Sequence, residues 1–290
     1  MAEITTHIFF SKDIQKKFNT SDSIKLFSLG PDVFYFSHNN KKLARVIHKN
    51  NTLQFFKNYI KYIKDNHLEN DEEVIGSLYG FLSHYVLDST IHPYIFYKTF
   101  LKEGMHRVYE MSLSKFVLTN NNVNPNLYKI TDDLVIKKNK VIVELLNKVL
   151  KDTYNIDNGG KLYYRYLRNL KIVYMLFRRD RFGIKKTIYN FMDKFYKKKI
   201  YAMSFHNIED VDFNFDHKVW HHPFTNEESN KSLIDLYKES YKKVYILIDK
   251  VNLVLKDKMD INKLDNIIEN RSLISGIDCN DKSRMKYFES

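Results

Sequence analysis

Leu53, Phe56, Ile60 and Ile63 recur at intervals of three and four with lysines opposite, which predicts an amphipathic helix over 52–66. The same period predicts a first helix opening at Thr6-His7, with Ile8, Phe9, Ile14 and Phe18 on its apolar side, and a short helix over 41–48. Asp71, Glu72 and Glu73 suit the first turn of another helix, where the helix dipole favours acids. That helix runs through Gly76 and Gly80, whose spacing predicts close approach by a neighbouring helix. Before Pro93 the α conformation is disfavoured, so the helix is expected to end or kink at His92. Helical periodicity returns over 135–154, 161–180 and 184–198, then over about 228–256 and 261–273. Between about 200 and 228 it lapses into a loop holding His206, His217 and Trp220-His221-His222-Pro223; a loop this long is functional or mobile. Near the start, Gly30-Pro31 marks a turn that leaves Asp32 as an N-cap-like residue or as a carboxylate pointed inward.

Composition agrees with long helices and few turns. Eight glycines and four prolines in 290 residues are too few for a β-rich chain, while 43% hydrophobic and 15% aromatic residues supply a real core. With no internal repeat and no linker, the expectation is one all-α domain over 1–290, with the chemistry in 1–115 and supporting helices in 116–290. The single Cys279 has no disulfide partner in the chain and reads as a buried thiol. There is neither a secretory signal pattern nor an apolar run of the ~18 residues a span needs, so the chain reads as soluble and cytoplasmic. Its net charge of +12 suits an anionic partner such as a phosphate ester, nucleic acid or an acidic membrane surface. The abundance of Lys, Asn, Ile, Tyr and Phe also fits a base-composition bias, because the charge is spread along the chain.

The chemistry concentrates in 80–110. His84, Asp88 and His92 are four apart, as are His106 and Glu110, and residues four apart lie on one helical face. With 11 His and 35 acidic residues, a single His-x3-acid pair is expected by chance about once, but the His-x3-Asp-x3-His triplet only on the order of 0.03 times. Neutral imidazole and carboxylate are the ligands of hydrolytic zinc sites. The competing reading is a buried helix with hydrogen-bonded core histidines.

Taken in order, Thr6-His7, Gly30-Pro31-Asp32, His48, His84-x3-Asp88-x3-His92 and His106-x3-Glu110 resemble the zinc-dependent phospholipase C family, whose wider superfamily contains zinc nucleases for single-stranded nucleic acid. The stretches 220–225 and 275–279 look similar to intracellular bacterial members. The resemblance implies an all-helical fold and two to three zinc ions. It implies that Asp32, His48, His84 and Asp88 surround one ion, that Asp88 bridges to a second held by His7, and that His92, His106 and Glu110 hold a third. Secreted members add an amino-terminal tryptophan beside the counterpart of His7. No tryptophan precedes His7 here, so that ion has fewer protein ligands.

The implied activity is phosphodiester hydrolysis, with zinc-bound hydroxide attacking phosphorus and Asp32 as ligand or as base. The implied substrate is a phosphate ester of phospholipid type, with peripheral membrane contact; single-stranded nucleic acid, a phosphomonoester, or a zinc-stabilised binding protein without turnover are the alternatives. Phe34, Tyr35 and Phe36 are candidates for an apolar rim, or else core. Arg178-Arg179-Asp180-Arg181 and Lys197-Lys198-Lys199 are candidates for a nucleic-acid groove, or else a solvated helix face. His217, His221 and His222 can close over a substrate or belong to an ordinary polar loop.

Overall fold

The computed structural model describes residues 3–37, 41–102, 104–177, 180–196, 200–208 and 210–289. Its framework is α-helical: α1 (Ile4–Phe18), α2 (Ser23–Phe27), α3 (Lys41–Lys49), α4 (Thr52–Asp65), α5 (Glu72–Thr99), α6 (Met105–Asn120), α7 (Ile130–Asp133), α8 (Lys140–Tyr154), α9 (Gly159–Phe177), α10 (Ile184–Tyr196), α11 (Leu233–Leu255) and α12 (Asp265–Ile268). Strands are confined, among the described residues, to the antiparallel pair β1 (Trp220–His221) and β2 (Glu228–Ser229). No described helix is long and apolar enough to cross a membrane.

The axis of the molecule is α5. Asp71 caps it by accepting from the amides of Glu73 and Val74 at 3.0 and 3.1 Å, and nearly every side chain from Val74 to Thr99 is buried. A helix buried on all sides needs neighbours on all sides. Here α2 and α11 lie along it, with α1 and α6 completing the jacket. The two glycines of α5 do what their spacing predicts. A Cβ on Gly80 would lie 2.7 Å from the carbonyl oxygen of Ile24 and from the carbonyl carbon of Phe27, and one on Gly76 would lie 2.4 Å from Ser23 Oγ. Backbone contact with α2 is therefore possible only without a side chain.

Some boundaries move for local reasons. The helix expected from 135 begins at Lys140 because Asn139 caps it, accepting from Val141 and Ile142. The helix expected from about 228 begins at Leu233, where Ser232 and Asp235 form a capping box, while Glu228–Ser229 pairs with β1. Only the short turn Ile261–Leu264 and α12 occupy the stretch read as a helix over 261–273. The 200–228 loop is anchored at Trp220, which donates its indole N–H to Lys231 O and meets the Tyr94 ring edge-on at 5.2 Å.

The helix end expected at His92 is not found. Helix α5 continues through Pro93 to Thr99. Local disfavour at the residue before proline amounts to a bias, and here burial among packed helices overrides it.

Gly80→Ala tests the backbone contact. It is expected to destabilise the protein by roughly 1–3 kcal/mol in urea denaturation, through overpacking of α2 on α5. An unchanged midpoint would contradict the contact.

Candidate metal centre

Two groups of ligand-type atoms converge in the core. One atom each from His7, Asp32, His84 and Asp88 lie mutually within 4.8 Å, as do atoms from His92, His106 and Glu110. The first group draws on α1, on α5 and on the 3-10 helix over Gly30–Phe36. Gly30 has φ +49, and a Cβ there would lie 2.4 Å from His84 Cγ, so this turn reaches the α5 histidine only through a glycine. The second group is completed by α6, which presents His106 and Glu110 one turn apart.

His92 reaches the second group without any break in the helix. Eight residues of α-helix advance about 12 Å, enough to carry His92 from the level of His84 to that of α6. Its ring also stays close to the first group, with Nδ1 3.7 Å from Asp88 Oδ2 and Nε2 3.3 Å from Glu110 Oε1. Asp88 is the junction: Oδ1 lies 3.2 Å from His7 Nε2 and Oδ2 lies 3.2 Å from His84 Nε2. His48 stands just outside the first group, with Nε2 3.0 Å from Asp32 Oδ1.

Backbone carbonyls set the histidine tautomers. A carbonyl can only accept, so His48 Nδ1 donates to Ala44 O (2.6 Å), His84 Nδ1 to Ser28 O (2.9 Å) and His92 Nδ1 to Leu273 O (2.6 Å). With its proton on Nδ1, each neutral ring turns a lone pair on Nε2 inward, as metal-binding histidines require. Leu273 was not foreseen. Its amide also donates to His48 O at 2.9 Å, so one residue of the C-terminal segment orients the His92 ring and fixes the end of α3.

The residues fit a metal by what they lack. Among the described residues, eight of the eleven buried side-chain nitrogen and oxygen atoms without a hydrogen-bond partner belong to these groups: His7 Nδ1, both oxygens of Asp32, His84 Nε2, both oxygens of Asp88, His106 Nδ1 and Glu110 Oε2. Asp88 is 1% exposed. A carboxylate so deep, without a hydrogen-bond donor, costs several kcal/mol unless a cation compensates it. All-nitrogen and oxygen donors with two or more imidazoles suit zinc. Cys279 is buried and takes no part in either group.

The other candidates fall elsewhere. His206 Nε2 donates to Asp180 O, His217 Nδ1 to Asn230 O, and His222 Nδ1 faces the amides of Phe224 and Thr225; with His221, none joins a ligand group. Phe34 is core, whereas Tyr35 and Phe36 are half-buried, Tyr35 against the His48 ring. Arg178, Arg179, Lys197, Lys198 and Lys199 lie outside the described residues. Beside the centre is a cavity of about 80 Å³ whose walls include Glu3, Phe36, Arg107 and Met111 on the near side and Tyr174 and Phe177 on the far side. His106, with 26% of its side chain exposed, is the ligand candidate nearest to solvent.

Residues 4–169, more than half of the chain, match the family described as zinc dependent phospholipase C. The chain belongs to the zinc-dependent phospholipase C family. No curated protein and no solved structure matches it. Membership brings an all-α fold, zinc dependence and phosphodiester hydrolysis at the level of the family, and the two ligand groups suit zinc.

Protons and metal compete for the same atoms. Without metal, burial lowers the pKa of His92, but Asp88 and Glu110 outweigh it and hold the value at about 9. Its charge therefore contributes stability that is complete below its ordinary 6.5 and is lost as pH rises through about 9. Burial raises Asp88 and Glu110, but the neighbouring imidazoles hold both below the usual carboxylate range, so their contribution is lost only in acid. Zinc needs the imidazoles unprotonated. The rise in Tm on adding zinc to stripped protein is therefore expected to grow from about pH 5.5 to 8, reaching at least about 5 °C, to shrink in Asp88→Ala and to vanish when Asp88→Ala is combined with Glu110→Ala. A shift that is flat with pH, or that survives the double substitution, would contradict the assignment.

Proposed function

We propose that the protein is a phospholipase C-type phosphodiester hydrolase whose ligands are His7, Asp32, His48, His84, Asp88, His92, His106 and Glu110. The observation that carries this is that both oxygens of Asp32, both of Asp88 and His84 Nε2 are buried together without a hydrogen-bond partner. Zinc, when bound, supplies Lewis acidity that neutralises phosphate charge and lets water ionise near neutral pH.

The chain's own residues do the rest. Asp88, shared between His7 and His84, holds the two halves of the first group at a fixed separation. Asp32 would take the proton of the attacking water, and His48, whose Nε2 lies 3.0 Å from Asp32 Oδ1, would turn its lone pair to the same ion. Attack at phosphorus opposite the leaving oxygen then breaks one P–O ester bond, giving a phosphomonoester and an alcohol. The buried floor excludes bulk water, and the partly exposed His106 marks the side from which substrate arrives. The family match, described as a phospholipase C, favours a lipid diester over a nucleic-acid strand as substrate.

We also read the whole chain as one functional domain. The family match ends at residue 169, but Leu273 binds both His48 and His92, and α11 packs along α5, so the later residues support the site.

The test pairs metal analysis with hydrolysis of bis(p-nitrophenyl) phosphate, phosphatidylcholine and single-stranded DNA by the same zinc-loaded protein. Phosphatidylcholine should be cleaved in preference to DNA. Asp32→Asn should lower kcat/KM by about 10²–10⁴, and His84→Ala should abolish turnover. Zinc-containing protein with no hydrolysis sensitive to these substitutions would refute the enzyme reading, and preferential cleavage of DNA would move it to the nuclease branch.

A further inference from the structure

The end of α9 and all of α10 reverse the rule that organises the other helices. Ile184, Ile188, Phe191 and Phe195 recur at four, three and four, so they share one face of α10. Such a face ordinarily covers a core. Here all four are exposed, from 49% at Ile188 to 70% at Phe195, and Phe182 in the turn before them is 77% exposed. Ile172, Met175 and Leu176 on the last turns of α9 are exposed by half or more. Single exposed apolar side chains are ordinary, but a whole apolar helix face in water marks an interaction site.

What holds α10 to the body is mainly polar. The Asp193 carboxylate accepts from the amides of Ile200 and Tyr201 at 2.7 and 2.6 Å. Tyr189, on the opposite side from the apolar stripe, is buried and donates its hydroxyl to Phe177 O at 2.7 Å. Asp180 is buried in the turn and accepts from the amides of Lys185 and Lys186 and from Ser204 Oγ. The two acids of the segment are thus engaged by neutral donors, whereas Arg181, Lys186 and Lys194 are exposed. In sequence the helix is also flanked by Arg178, Arg179, Lys197, Lys198 and Lys199, which lie outside the described residues.

Large apolar side chains with cations beside them match one surface in particular, an anionic bilayer, where rings enter the acyl boundary and cations meet phosphates. We propose that the α9–α10 hairpin docks the protein on an anionic phospholipid surface, with Phe182, Phe191 and Phe195 entering the interface and Arg181 and Lys194 meeting headgroup phosphates. The hairpin beyond residue 180 lies outside the stretch matched to the family. It also abuts the candidate centre: Phe177, which receives the Tyr189 bond, lines the cavity shared with Phe36, Arg107 and Met111. Docking there would set that cavity against the lipid, and its purpose rests on the phospholipid reading of the centre.

The test is co-sedimentation of the full chain with sucrose-loaded vesicles. Wild-type protein is expected to partition onto phosphatidylcholine–phosphatidylglycerol vesicles and much less onto phosphatidylcholine alone. Phe191→Ser with Phe195→Ser should lower the partition coefficient at least about tenfold, with Tm and hydrolysis of a water-soluble diester unchanged. Arg181→Glu with Lys194→Glu should weaken binding to the mixed vesicles only. No binding by wild type, or no loss in the phenylalanine variant, overturns the proposal. So does sedimentation velocity showing a wild-type dimer that the variant dissolves without any change in vesicle binding. Partition is read without turnover, so the two readings fail separately. Vesicle binding without hydrolysis leaves docking standing and removes the lipase, whereas hydrolysis of the soluble diester without vesicle binding does the reverse.

Discussion

A single carboxylate constrains the interior of this protein. Asp88 lies near the middle of α5, the helix that α1, α2, α6 and α11 pack against, buried, facing His7 and His84 and with His92 nearby, yet neither oxygen accepts a hydrogen bond. An isolated charge in that position would be expelled or protonated. The surrounding imidazoles hold it ionised, and a divalent cation is the compensation that also satisfies their bare nitrogens. Much of the architecture follows: α1 must pack closely enough to bring His7, and the Gly30–Phe36 turn must touch α5 through a glycine to bring Asp32.

The centre is built in two layers. Carboxylates and imidazoles face each other, and behind the imidazoles the carbonyls of Ser28, Ala44 and Leu273 fix which nitrogen is free. Leu273 ties this layer to the C-terminal segment, 181 residues away from His92 in sequence. Chemistry confined to the first 110 residues thus depends on the last 30 for its geometry.

The parts legible in the sequence are those written in short-range spacing. His84 with Asp88 and His106 with Glu110 are single helical turns, and Gly76 and Gly80 announce the approach of α2. His7, Asp32 and His48 are solitary in sequence and meet only through packing; the family resemblance, not any local pattern, brought them to notice. The role of Leu273 is carried by a backbone carbonyl, which any residue supplies, so no side-chain pattern could mark it. Pro93 misled because a local backbone bias was weighed without the neighbours that override it. Helix α10 is a subtler case, since periodicity locates an apolar face but not the direction in which it turns.

The most direct test of the account is anomalous diffraction at the zinc edge from crystals of gently purified full-length protein. The account predicts one peak among His7, Asp32, His84 and Asp88 and another among His92, His106 and Glu110. Absence of anomalous density from both groups in zinc-containing crystals, with the metal held elsewhere, would contradict it.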